Sequence, residues 1–218
     1  MSSMVFFDVD GVLIKEQTQK LLIRYLLEKK KLPFHLFLKV SCWFALYKIG
    51  LVRDVFKIRI MAFKHFKGWD INEARKTFKD FFEKEIKRRI NSGAVGIINN
   101  HIEKGDKVIL VSASLKEIID ILREYLGLEF AIYTELETDN NFYTGNISGM
   151  VPYGEYKIKK IYEFLKEEGY SLGNSWAYCD HISDLPLLQI VSNPRVVNPD
   201  RRLRRIAREK GWPIYELR

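Results

Sequence analysis

The 218-residue sequence predicts an α/β protein, a doubly wound (Rossmann-like), mainly parallel sheet with an inserted helical domain. Three observations predict it. The stretch Val5 to Ile14, VFFDVDGVLI, is an apolar run ending in two acids and a glycine. That is the pattern of a buried strand whose polar residues emerge at its C-terminal edge, where open α/β sheets hold their ligands. From Ser92 onward, apolar strands alternate with helical periodicities, which implies parallel strands covered on both faces. Between these regions lies a helix-periodic, lysine-bearing block much longer than the roughly thirty residues of a βαβ unit.

In chain order, the first strand gives way to the helical block. Leu21, Leu22, Tyr25 and Leu26 keep helical spacing, as do Phe78, Phe81 and Phe82. Leu32 to Val52 is mostly apolar and close to a membrane span in length, but Lys39 and Lys48 would each cost about 2.5–3.5 kcal/mol at mid-bilayer. A buried helix pair is therefore expected, with Phe34, Phe37, Trp43, Phe44 and Tyr47 in its core, and contact with a membrane surface left open. The division expected is 1–14 and 88–218 for the sheet domain and 15–87 for the insertion.

Beyond the block, Ala94 to His101 reads as a helix, Gly105-Asp106 as a turn and Lys107 to Val111 as a buried strand ending at Ser112. A helix is expected over Leu115 to Leu126 and a strand near Phe130 to Tyr133. Thr134 to Thr138 and Phe142 to Ile147 read as extended pieces around the turn Asp139-Asn140-Asn141. Then come a helix over Tyr156 to Glu168, a strand over Ser175 to Cys179, a helix over Leu185 to Val191, a short strand over Arg195 to Asn198 and a basic helix over Arg201 to Lys210.

Composition, at 47% hydrophobic and 13% aromatic, suits one sizeable core with an insertion. The net charge of +8 permits attraction to phosphates, anionic lipid or nucleic acid without choosing among them. Arg201, Arg202, Arg204, Arg205 and Arg208 carry no interleaved stacking aromatics, so a solvated face is expected there and nucleic acid is not. Cys42 and Cys179 lie far apart without metal-ligand spacing, and no secretory signal precedes them, so a reducing, cytoplasmic setting is expected.

Asp8 with Asp10, Ser112, and Asp180 with Asp184 each follow the C-terminal end of an expected strand, and Lys157 opens a helix. Each alone has an ordinary explanation: a turn, a helix cap, one more lysine. Together, three or four carboxylates suit a hard divalent ion such as Mg²⁺, while a hydroxyl, a helix N-terminus and a lysine suit phosphate oxygens.

The segments FFDVDGVLI, ILVSAS, GEYKIKK and AYCDHISDLPLL, with the tail VVNPDRRLRRIAREKGWPI, resemble the haloacid dehalogenase superfamily, subfamily IB, the phosphoserine-phosphatase-like group. The resemblance implies a Mg²⁺-dependent phosphomonoesterase acting on a small phosphorylated metabolite through an aspartyl-phosphate, with the insertion as a helical cap. It makes Asp8 the nucleophile, Asp10 the general acid/base, and Ser112, Lys157 and Gly11 the phosphate binders. The metal would be held by Asp8, Asp10 through its backbone carbonyl, Asp180 and Asp184. Gln17 stands where phosphoserine phosphatases usually carry a glutamate, and Ala113-Ser114 stands in place of two glycines. Cys179 and His181 depart from the fourth motif. These departures argue against phosphoserine and make Gln17, Ser114 and His181 candidate substrate contacts. Two alternatives remain: phosphoryl transfer to another hydroxyl, and a peripheral membrane or scaffold protein with an idle fold.

Overall fold

A computed structural model describes residues 3–48 and 62–217. Alternation along β1 (Met4–Asp8) sorts its side chains onto two apolar cores, Val5 and Phe7 on one side of the sheet and Met4 and Phe6 on the other. β2 (Lys107–Leu115) does the same, with Val108 and Leu110 on the first side and Ile109 and Val111 on the second. The remaining strands are β3 (Phe130–Asp139), β4 (Phe142–Ser148), β5 (Trp176–Cys179), β6 (Asn193–Val197) and β7 (Ile214–Tyr215). Their order is β4-β3-β2-β1-β5-β6-β7, and every pair except β3 with β4 is parallel.

The helices are α1 (Thr18–Glu28), α2 (Phe34–Lys48), α3 (Ile71–Phe81), α4 (Ser92–Glu103), α5 (Lys116–Tyr125), α6 (Glu155–Glu167), α7 (Leu185–Ile190) and α8 (Arg201–Glu209). α4 and α5 cover the first face through Ala94, Ile98, Ile118 and Ile119. α6, α7 and α8 cover the second through Ile161, Leu165, Leu187, Leu188, Leu203 and Ala207. The doubly wound arrangement is thus the packing solution for strands that are apolar on both sides. The chain leaves β1 for β2 and β3 on one side and later returns to β5 and β6 on the other, so the sheet's switch point lies beside the end of β1.

Among the described residues, the insertion packs into the core of the sheet rather than forming a separate one. Leu21, Leu22, Tyr25 and Leu26 of α1 join Phe78 and Phe81 of α3 in the same apolar cluster as Val5, Phe7 and Ile98. A π-helical turn at Phe82–Ile86 and a 3-10 turn at Lys87–Arg89 continue α3 and bury Phe82 and Ile86 in that cluster. The β3–β4 hairpin reaches across to the insertion: Gly68 N–H donates to the Tyr143 carbonyl at 2.8 Å, Tyr143 N–H donates to the Trp69 carbonyl at 3.0 Å, and Ile71 N–H donates to the Asn141 carbonyl at 3.0 Å. Asn140 and Asn141 both adopt left-handed backbone (φ 47° and 67°), the conformation a tight two-residue hairpin turn needs.

Several expected elements are redrawn. The two extended pieces over 130–138 are one strand, and β2 runs past Ser112 to Leu115 through a register shift against β3. β7 was not anticipated, because two residues behind a proline carry no period. The buried-helix expectation for Leu32 to Val52 is corrected at its start: Phe34 is 62% and Leu38 51% exposed, because they share the outer face of α2 while Leu36 and Phe37 turn inward. Residues 49–52 and the side chains of Trp43, Phe44 and Tyr47 lie outside the described residues. Among those described, no helix is long and apolar enough to cross a membrane.

Phe78 is fully buried where α3 meets the core. Phe78→Ala is expected to lower stability by about 3–5 kcal/mol, read from the denaturant midpoint.

Candidate active site

The pairing register places the site. Asp8 lies opposite Val111 of β2, and Phe7 opposite Tyr178 of β5, so Asp8, Ser112 and Asp180 leave three adjacent strands within about one residue of the same level. Lys157 reaches them from α6. It sits at the same helical spacing as the buried Ile161 and Leu165, so the apolar face of α6 carries its ammonium inward.

Lys157 is 4% exposed and bridges two carboxylates, with Nζ 2.8 Å from Asp8 Oδ1 and 2.6 Å from Asp184 Oδ1. Asp8, Asp180 and Asp184 bring one oxygen each within 4.8 Å of one another. Burial pushes the Asp8 carboxyl up; Lys157 opposes this, Asp184 and Asp10 reinforce it, and the outcome is about 7. Asp180 rises to about 9, through burial first and then repulsion from Asp8 and Asp184. Lys157 is driven up by Asp184 and Asp8 in spite of its burial and stays protonated. Three carboxylates around one ammonium leave negative charge that protons or a cation must offset. The donors are all carboxylate oxygens, which suits a hard divalent ion such as Mg²⁺. Asp8, Asp180 and Asp184 are the residues that would hold it.

Asp10 stands apart from this trio. Its Oδ1 accepts the Thr18 N–H at 2.7 Å, so its carboxylate caps the start of α1, where Gln17 makes no side-chain cap. Gly11, at φ +85°, makes the turn between Asp10 and the following residues, and a Cβ there would overlap the Asp180 carboxylate. Its N–H is donated to the Ile14 carbonyl at 2.8 Å. Ser112 is buried and its Oγ accepts the Ser114 N–H at 3.1 Å.

A cleft of about 540 Å³ gathers Asp8, Asp10, Gly11, Gln17, Ser112, Lys157, Asp180, His181 and Asp184. Ser114 is not among its walls; it is fully buried and shares a hydrogen bond with the Thr18 hydroxyl. His181 lines the rim, with Nδ1 accepting the Ser183 N–H at 3.2 Å and Nε2 lying 3.8 Å from Asp200 Oδ2. Glu16 is paired with Arg89 at 2.7 Å.

Sequence reasoning missed Thr18, Asn198 and Asp200. Asn198 Nδ2 donates to the Gly11 carbonyl at 3.3 Å, and Asp200 Oδ2 accepts the Ile182 N–H at 2.6 Å, so the loop after β6 braces both acidic turns. Asn-Pro-Asp before a helix is a capping signal, and nothing in it announces this second use.

A family model for haloacid dehalogenase-like hydrolases matches residues 5–189, which include Asp8, Asp10, Asp180 and Asp184. The chain belongs to this family. Family relatives include a probable phosphatase of Mycobacterium tuberculosis, 35% identical over 150 residues that cover 69% of this chain and 52% of the relative. A phosphoserine phosphatase of the same organism is 28% identical over 221 residues, covering 100% of this chain and 72% of the relative. The chain thus spans about half the length of the first of these and nearly three quarters of the second. In fold it is similar to a Bordetella pertussis protein of unknown function, with a TM-score of 0.93 at 23% identity and full coverage of both chains.

The Asp180 carboxyl binds its proton more tightly in the folded chain than the ordinary carboxylate value of 3.8, so its contribution destabilises the fold as pH rises from about 4 to about 9. Without metal, Asp180→Asn is expected to be more stable than wild type at pH 7 by on the order of 1–3 kcal/mol, with the gain vanishing near pH 4. Thermal melts across pH with a chelator present check it; a gain independent of pH would contradict the charge argument.

Proposed function

We propose that the chain is a divalent-metal-dependent phosphomonoesterase that works through an aspartyl-phosphate on Asp8, with 15–87 as a cap over the site. The observation that carries the reading is the bridge from Lys157 to Asp8 and Asp184 at the end of β1. It fixes one oxygen of Asp8, holds positive charge where a phosphoryl group would arrive, and leaves the other oxygen as the attacking atom. Family relatives named as phosphatases support the reaction class.

In the proposed first step an Asp8 oxygen bonds to phosphorus as the ester P–O bond breaks, and Asp10 gives its proton to the departing alkoxide. In the second, Asp10 takes a proton from water, the water oxygen bonds to phosphorus, and the Asp8–phosphorus bond breaks to release inorganic phosphate. Thr18 orients Asp10 through its N–H. Ser112 and Lys157 bind the phosphoryl oxygens, and Gln17 and His181 stand where the leaving group would pass. Bound Mg²⁺ supplies further charge neutralisation.

Phosphate release from a panel of phosphomonoesters, with Mg²⁺ and with chelator, tests this. Release should require Mg²⁺ and fall by roughly a thousandfold or more in Asp8→Asn. Release that survives in Asp8→Asn would sink the covalent mechanism. A second measurement follows from proton competition at Asp8 and Asp180: apparent Mg²⁺ affinity should weaken as pH falls through about 9 and more steeply below about 7, read by calorimetry between pH 6 and 9.5.

A further inference from the structure

Beside the polar cleft lies an apolar space of about 40 Å³, between α1, the start of α2, residues 62–66 and the start of α5. Leu22, Ile23, Leu26, Leu36, Phe63 and Phe66 form much of its wall. Among the described residues none of its lining side chains is Asp, Glu, Lys or Arg, in a chain that is 29% charged. The neighbouring cleft, by contrast, has Lys15, Glu16 and Lys20 on its walls besides the acids.

The two spaces adjoin across Gln19. Gln19 lines both, and Ala113 of the cleft is followed by Ser114 of the apolar seam. Gln19 Nε2 donates to the Ala113 carbonyl at 3.3 Å, and the Ser114 and Thr18 hydroxyls satisfy each other. The polar atoms at the junction therefore have partners within the protein, and the surface beyond them is apolar except for His65, whose Nε2 lies 2.7 Å from the Lys31 carbonyl. Ile23, Leu36 and Ala62 are only half-buried, so among the described residues core packing does not close over the seam's outer wall.

We infer that this seam receives the leaving group, so that the substrates are phosphomonoesters of apolar alcohols, with an alkyl or similarly apolar chain beside the ester oxygen. This rests on the phosphatase reading above. A space of 40 Å³ holds about three water-sized groups at 10–15 Å³ each, the scale of a short alkyl stem. An ammonium or carboxylate placed there would lose its water and find no opposite charge, which disfavours amino-acid and sugar leaving groups. The occupant is argued from that adjacency: a group that reaches the seam past Gln19 is one joined to the phosphate held in the cleft.

The test is a series of straight-chain alkyl phosphates from ethyl to octyl, kept below their aggregation concentrations, beside phosphoserine, glycerol phosphate and p-nitrophenyl phosphate, all with Mg²⁺. The expected result is a kcat/KM that rises about two- to fourfold per methylene through KM until the seam is filled. Ile23→Gln flattens that dependence, and Leu38→Gln, on the exposed face of α2, leaves it unchanged. A flat series, or a preference for phosphoserine or glycerol phosphate, overturns the inference and leaves the phosphatase reading intact. If no ester is hydrolysed the phosphatase reading fails, and calorimetry with the corresponding alkylphosphonates decides the seam. Affinity that grows with chain length supports it, and affinity independent of chain length overturns it.

Discussion

The structure depends on one electrostatic arrangement: a single buried ammonium shared by carboxylates that cannot all stay ionised around it. Lys157 contacts Asp8 and Asp184, and Asp180 completes the group. In water three acids and a base at this spacing would simply be hydrated; at the mostly buried edge of the sheet each charge needs a partner, and one ammonium cannot balance three carboxylates. The raised proton affinities of Asp8 and Asp180 express that deficit. A site with unbalanced negative charge and oxygen donors is prepared for a cation, and a cation held there prepares it in turn for a phosphoryl group.

Such an arrangement has to be held against its own repulsion, and much of the surrounding fold does so. Parallel pairing sets Asp8, Ser112 and Asp180 within about one residue of the same level. The apolar face of α6 anchors Lys157 through Ile161 and Leu165. The turn at Gly11 exists in a conformation closed to other residues, because its missing side chain is the room that Asp180 occupies. Asn198 and Asp200, from the loop after the last long strand, bind the backbone of both acidic turns. Sequence-distant segments thus converge on one corner, and the cores on either side of the sheet fix their approach.

The strands at this corner were legible because a doubly covered parallel strand is apolar until it reaches a polar residue at the site: VFFD, ILVS and AYCD all show that break, although β2 runs on past Ser112 to Leu115. Asp8, Asp10, Ser112, Lys157, Asp180 and Asp184 could be named from such breaks and from the family resemblance, and the fold gathers them all in one cleft. The residues that escaped notice act through backbone groups. Thr18 contributes an N–H and Asn198 a side-chain bond to a carbonyl, and neither use leaves a pattern in composition or period. Ser114 misled for a related reason: the register shift after Val111 buries it beneath the cleft, and a shift of that kind is not written in side-chain alternation. The outer face of α2 misled because an apolar helix does not declare from sequence which of its sides will find a partner.

The junction at α1 ties substrate choice to chemistry. The residue whose N–H caps Asp10 is the one whose hydroxyl holds Ser114, and Gln19, one residue on, forms the wall between polar cleft and apolar seam. The first turn of this helix therefore orients the proposed acid/base, braces the strand end that carries Ser112, and offers the first surface a leaving group would meet. A shift of α1 that widened the seam would also lengthen the Thr18 contact that orients Asp10. Leaving-group fit and the placement of Asp10 are then linked through one helix terminus. A polar leaving group that failed to seat α1 would lose turnover as well as binding, because the acid that must protonate it would be left unpositioned.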